Sequence, residues 1–420
     1  MPKHILLLLA FSCQLFALSA QYDDPIFAKP AVGYGADGSY SVEVTTFPSP
    51  DFPGELIEIF HPVGVATAVP TLFFAHGFGG TFSNYVGGML DYVAKKGYAI
   101  VFVPYPTTGS SIVERYDILL AGFRQAARAY PNVIDTMQVG FMGHSFGGGA
   151  MFGVAHRCFT ENNWGENGRL LFSLAPWYSY ELTQAQLQSF PSNTKLIMQV
   201  YDDDNVNDHR MAIDIFNNIN ISAEEKDFIL VQSDTLQGHI YAADHAVPGT
   251  FQVFDALDYY AFYRLLDALC DYTFHGNPVG KEVALGNGSA QQVTMPTGLK
   301  PLVQTDAPAP VYPEDKYGFP CGAILNPRND YCPALTSTSE ARPARYVLTI
   351  NPNPTVSQVR VNIPADAKVR QIRVFNQSGQ QVLVQTIHAA SEITLDLGAL
   401  PAGEYRVVLG RYRGRVLKVK

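Results

Sequence analysis

MQVGFMGHSFGGGA, residues 137–150, is the stretch from which the rest of the chain can be read. A short apolar run, Val139 to Met142, leads into Gly143-His144-Ser145-Phe146-Gly147, and a small-residue segment able to open a helix follows. This is G-x-S-x-G in strand–turn–helix context, a nucleophile elbow. A sharp turn holds Ser145 in a strained backbone conformation that exposes its hydroxyl above the sheet edge. Side chains two positions away on either side would collide there, so Gly143 and Gly147 carry none. The opening helix points free N–H groups at the same spot, where negative charge can be received. The bland alternative is a Gly-rich turn with a capping serine, and the surroundings decide between the two.

Upstream, YSVEVTTF (40–47) and ELIEIFH (55–61) alternate like two antiparallel strands around a Pro-rich turn. Thr71 to Ala75 is a continuous apolar run, suited to a strand buried on both faces. Ser83 to Lys96 has helical spacing, Tyr98 to Val103 reads as a strand and Ile112 to Ala129 as a helix. Beyond the elbow the alternation continues with helix 148–157, strands 170–175 and 196–201, helix 210–218, strand 228–232 and helix 254–272. Such alternation over about 230 residues predicts an α/β fold, a mainly parallel sheet with helices on both faces.

Ligands of such sheets bind at the carboxyl ends of the strands, and polar groups gather at three further strand ends. His76-Gly77-Phe78-Gly79-Gly80 can bring a backbone N–H, that of Phe78, toward Ser145; with the N–H of Phe146 it would form an oxyanion hole. Tyr201-Asp202-Asp203-Asp204-Asn205-Val206 offers a carboxylate to orient a histidine, and Asp204 is the choice. A calcium loop is rejected there, because Asn207 stands where glycine is needed and Ile213 where the bidentate glutamate belongs. Ser233 to His239 follows the last strand; His239 is chosen as general base, with His245 the alternative. The order Ser145, Asp204, His239 is that of α/β-hydrolases.

The matching pieces HGFGG (76–80), GHSFGGG (143–149) and Leu174-Ala175-Pro176-Trp177 make residues 40–275 resemble the α/β-hydrolase superfamily, in its exported cutinase-like, chlorophyllase-like and polyester-hydrolase branch. The resemblance implies a serine carboxylesterase working through an acyl-enzyme without cofactor or metal. It also implies that Trp177 lines the substrate pocket. The departures are Phe78, where tyrosine is expected, and the SDTLQGHIYAADH segment. About 20 residues between Ala175 and Leu196 leave no room for a large lid, so an open site is expected. Two other readings are a catalytically idle hydrolase fold used as a surface binding module, and an amide or peptide hydrolase.

Length sets a frame around this. A chain of 420 residues exceeds one ordinary domain, and 47% hydrophobic against 16% charged residues fits packed globular structure. Residues 344–420 hold 11 Lys/Arg against 4 Asp/Glu, a net of +7, which leaves −16 on the rest of a chain whose total is −9. An acidic body argues against nucleic acid as a partner. Lys3, the apolar run Ile5 to Leu18 and Leu18-Ser19-Ala20 read as a signal peptide over 1–20, cleaved after Ala20 or Ser19. Its core is short for a membrane span, and no other segment is long enough, so no transmembrane segment is expected in the mature chain. Apolar residues continuing past Cys13 argue against a lipoprotein site. Export permits disulfides; Cys321 with Cys332 is the favoured pair and Cys158 with Cys270 is possible. No Cys or His spacing suggests zinc.

The expected division is a hydrolase domain over 21–299, a linker over 300–343 and a small β-sandwich over 344–420; Asn277 to Pro343, rich in Pro, Gly, Ser and Thr without periodicity, reads as trailing strands plus linker. From Tyr346, runs such as VRVNIP, QIRVF and EYRVVLG alternate, with turn signals about every ten residues. Asn351-Pro352-Asn353-Pro354-Thr355, Val374-Phe375-Asn376-Gln377-Ser378-Gly379-Gln380 and Leu400-Pro401-Ala402-Gly403-Glu404-Tyr405 closely resemble the C-terminal sorting domain of the type IX secretion system. That resemblance implies the type IX machinery as partner and passage across the outer membrane of a Gram-negative bacterium. The protein would then be secreted or surface-attached, with possible removal of this domain. A generic Ig-like binding module is the alternative.

Overall fold

The computed structural model describes residues 22–251, 253–335, 348–364, 371–376, 381–387, 391–409 and 412–419. The expected signal peptide and residues 336–343 of the expected linker lie outside them. The chain divides into two compact units, residues 1–334 and 335–420.

The first unit is built on a nine-stranded sheet: β1 (Val42–Pro48), β2 (Leu56–Pro62), β3 (Val69–Ala75), β4 (Ala99–Phe102), β5 (Ile134–His144), β6 (Gly168–Leu174), β7 (Thr194–Tyr201), β8 (Lys226–Val231) and a late strand (Val303–Thr305). The spatial order is β1-β2-β4-β3-β5-β6-β7-β8 followed by the late strand. From β4 to β8 all neighbours are parallel, whereas β1, β2 and the late strand join antiparallel. A hairpin, β9 (Asp234–Leu236) with β10 (His239–Tyr241), stands apart from this sheet, and the late strand is therefore β11.

Residues of β3 and β6 are buried along nearly their whole length, as continuous apolar runs require when helices cover both faces. Helices α1 (Gly87–Lys95), α2 (Ile112–Ala129), α3 (Phe146–Glu161), α4 (Gln184–Gln188), α5 (His209–Asn218), α6 (Arg264–His275), α7 (Pro278–Ala284) and α8 (Ala290–Val293) complete the unit, and a π-helical turn over Leu257–Tyr263 leads into α6. Local signals set their ends. Ser111 and Glu114 close a capping box at the start of α2, and Gly276 at φ 70° ends α6.

Two apolar cores lie on opposite sides of the sheet. One gathers inward residues of α2, α3 and α5, with Phe73 stacked between Phe141 at 5.2 Å and Trp164 at 4.9 Å; the other gathers those of α1 and α6. Cys158 sits in the first core and Cys270 in the second, both buried and unbridged, so the sheet separates the pair considered possible from sequence. Cys321 and Cys332 are joined.

The expectation for residues 277–343 needs correction. Residues 278–293 form α7 and α8 rather than trailing strands, and β11 closes the sheet edge. Residues 312–332, expected to be linker, are folded onto the first unit. Arg328 forms a buried ion pair with Asp214 of α5 at 2.7 Å, and the Tyr178 hydroxyl donates to the Pro320 carbonyl. Proline and glycine content is compatible with an irregular segment that packs through specific side chains, which periodicity does not detect.

In the second unit, β12 (Ile350–Asn351), β13 (Gln358–Asn362) and β16 (Glu392–Asp396) form one antiparallel sheet; β14 (Gln371–Phe375), β15 (Gln381–Thr386), β17 (Gly403–Leu409) and β18 (Tyr412–Lys418) form another. Val359 and Val361 of one sheet share a core with Val374, Val407 and Val416 of the other, while Gln358, Arg360 and Asn362 face outward. The chain is thus a mostly parallel α/β unit followed by an all-β antiparallel one.

Candidate active site

Ser145 occupies the turn between β5 and α3 with φ 56° and ψ −119°, a conformation uncommon for a residue with a side chain. The two elbow glycines allow it. A Cβ on Gly147 would overlap the Ala75 carbonyl, and one on Gly143 would overlap the Gly147 carbonyl. Although Ser145 is the N-cap of α3, its side chain makes no capping hydrogen bond, so the hydroxyl is left for other partners. Its backbone is held by Ser145 N–H to Leu174 O (3.0 Å) and Trp177 N–H to Ser145 O (2.8 Å).

The partner of that hydroxyl is His245, whose Nε2 lies 2.9 Å from Ser145 Oγ; its Nδ1 lies 2.8 Å from Asp204 Oδ2. A carboxylate can only accept, so Nδ1 carries the proton and Nε2 is free to take one from Ser145. Asp204 is fully buried, just beyond β7. Burial alone would raise its carboxyl, but the neighbouring His245, the hydrogen bond from that ring and the Val206 N–H lower it below the usual carboxylate range. Val206 and Asn207 N–H both donate to Oδ1, at 2.7 and 3.1 Å, leaving Oδ2 for the histidine. The His245 loop is tied down by Asp203 N–H to Ala243 O (2.8 Å) and by His144, whose Nε2 lies 2.8 Å from the His245 carbonyl. The His144 ring is buried, which pushes its pKa down to about 3 and keeps it neutral.

His239, the first choice as base, is not brought to Ser145. It opens β10, its Nε2 is 3.6 Å from Asp255 Oδ2, and its ring packs edge-on against Tyr241. The residue at the serine is the alternative, His245. The hairpin that precedes His245 gives the structural reason. Gln237 and Gly238 form a two-residue loop with positive φ at both positions, 50° and 86°, between paired strands. A two-residue loop of this kind closes a tight hairpin, and the chain must finish that hairpin before it can return to the sheet edge.

The His76–Gly80 turn lies directly against the elbow. A Cβ on Gly77 would stand 3.2 Å from Ser145 Cβ, and Gly79 has φ 80°. The turn is clamped from behind, with His76 Nδ1 bonded to Gly77 O at 2.7 Å and the Tyr105 N–H bonded to His76 Nε2 at 3.2 Å. Burial lowers the His76 pKa to about 4, partly opposed by the Gly77 hydrogen bond. Phe78 follows in this turn. Phe146 is the first residue of α3, where a helix has N–H groups without intrahelical acceptors.

Trp177, whose backbone N–H bonds the Ser145 carbonyl, is half-buried, its ring 5.5 Å from that of Phe146 and 5.6 Å from Phe319. Phe319 belongs to the 312–332 strap, and the interval between β6 and β7 holds only α4. Two contributions were not anticipated from sequence: this strap, and Asn207, whose side chain reaches the serine from the acid loop. Neither follows a motif spacing. Among the described residues, no group of three or more His, Cys, Asp or Glu is arranged to hold a metal ion, and no helix is long and apolar enough to cross a membrane.

Compared with known families, the chain matches the secretion system C-terminal sorting domain over residues 349–418, within the all-β unit. That module marks export through the type IX secretion machinery, so the protein is secreted or attached to the cell surface. Among curated proteins none matches the chain.

Proposed function

We propose that the first unit is a serine hydrolase of the α/β-hydrolase fold that cleaves carboxylic esters, delivered outside the cell by its sorting domain. The observation that carries this reading is the continuous chain from Ser145 Oγ through His245 to buried Asp204, with bonds of 2.9 and 2.8 Å, at a strained elbow on the central strand. The chain order Ser145, Asp204, His245 and the mainly parallel sheet support the fold assignment.

In this mechanism His245 Nε2 takes the Ser145 proton as Oγ attacks the ester carbonyl. Asp204 holds the ring in the required tautomer and stabilises the imidazolium. The N–H groups of Phe78 and Phe146 receive the oxyanion. The alcohol leaves with the proton from His245. Water then gives one proton to His245 and its hydroxyl to the acyl carbon, and Oγ recovers its proton as the acid departs. Trp177 lines the side on which substrate lies.

The test is Ser145→Ala: turnover of p-nitrophenyl acetate and butyrate, and labelling by a fluorophosphonate probe, are expected to vanish while the fold is retained. Labelling that persists in this variant would overturn the reading. Matched ester and amide substrates separate esterase from amidase chemistry, and a chain-length series with an aromatic polyester film defines the acyl preference.

A further inference from the structure

The geometry points to Asn207 as a further catalytic residue, an amide donor to the nucleophile oxygen itself; this rests on the ester-hydrolase reading above. Asn207 is 2% exposed. Its Nδ2 donates to the Ala175 carbonyl at 2.8 Å and stands 3.4 Å from Ser145 Oγ. The Ala175 carbonyl fixes the orientation of the amide. With the group flipped, Oδ1 would face that carbonyl and two acceptors would meet. One amide proton is therefore used on Ala175 and the other is directed to Ser145.

The position is held from both sides. Its own N–H caps Asp204 Oδ1, so the acid and the amide are set by one turn. Asn207 also pairs with Phe319 of the strap, which donates to Val206 O at 2.7 Å and accepts from Asp208 N–H at 3.1 Å. Among the described residues the Oδ1 of this buried amide accepts no hydrogen bond, so the contacts of Nδ2 have to offset its desolvation.

A neutral hydroxyl at 3.4 Å receives little from this donor. As the Ser145 proton passes to His245, charge grows on Oγ and the contact becomes a charge-assisted hydrogen bond. A donor weak in the ground state and strong at the transition state lowers the barrier. The same proton serves the second half of the cycle, when the Oγ–acyl bond breaks and Oγ again carries charge before His245 returns its proton. Asn207 would thus act on the leaving and attacking oxygen, whereas Phe78 and Phe146 act on the carbonyl oxygen.

Asn207→Leu nearly keeps the volume and removes the amide donor without adding charge; Asn207→Ala removes both. In the full chain, each is expected to slow fluorophosphonate labelling of Ser145 and kcat for p-nitrophenyl acetate by about 10- to 100-fold, as loss of one charge-assisted bond implies. KM should stay nearly constant, because the bond forms after substrate binds. A purely structural role would lower the melting temperature without slowing the labelling of folded protein. If Asn207→Ala fails to fold, Asn207→Leu carries the decision. Variants that label at the wild-type rate overturn this assignment and leave the esterase reading standing. A wild-type protein inert to the probe overturns the esterase reading instead.

Discussion

His245 and His239 are six residues apart and differ in what surrounds them. The first has a hydroxyl on one nitrogen and a buried carboxylate on the other. The second faces Asp255 and Tyr241 at the root of a hairpin. Only a ring with a proton acceptor side toward the nucleophile and a carboxylate behind it can cycle a proton. His245→Ala is therefore expected to lower kcat/KM on p-nitrophenyl butyrate by about 10⁴-fold or more. His239→Ala should stay within about tenfold, through altered packing of the hairpin. Measuring both variants side by side checks the assignment, and equal losses would contradict it.

At the scale of elements, the strap over 312–332 is the largest feature absent from the sequence reading. The Cys321–Cys332 bridge closes a loop within it, and it is fastened to the unit by Cys321 N–H to Asp208 Oδ2 at 2.9 Å and by Arg328 on Asp214. Burial raises the Asp214 carboxyl, and Arg328 opposes that shift. Arg328→Met leaves a buried carboxylate without its counter-charge, and a loss of about 3–5 kcal/mol is expected in urea unfolding. Pairing it with Asp214→Leu should recover much of that loss, because the charge to be buried is gone. Both tryptophans, Trp164 and Trp177, belong to the first unit, so indole fluorescence follows that unit alone.

For the molecule as a whole, the buried histidines set an acid limit. His144 titrates near 3 in the folded state because burial disfavours its charged form, against about 6.5 when unfolded. Between those values the unfolded chain binds more protons, so this ring's contribution is complete above pH 6.5 and is lost as pH falls toward 3. His76, near 4, adds in the same direction. Buried carboxyls raised above their usual range, such as Asp255 and Asp267, act in the opposite sense as pH falls toward 4. The informative measurement is a difference. His144→Gln should flatten the pH dependence of unfolding free energy between pH 6.5 and 4.5 by about 1.4 kcal/mol per unit relative to wild type.

The pentapeptide around Ser145, the apolar strand runs and the capping residues Ser111 and Glu114 are local signals, set by sterics and hydrogen bonds within a few residues. For that reason the mainly parallel sheet, the sharp turn at Ser145, a carboxylate at Asp204 just past a strand end and the all-β tail are legible in the residues alone. The choice between His245 and His239, the placement of Asn207 and the folding of 312–332 onto α5 depend on where loops end after long-range packing. Those contacts join residues from 32 to 114 positions apart, and no periodicity or spacing encodes their closure. They are settled only when the chain packs.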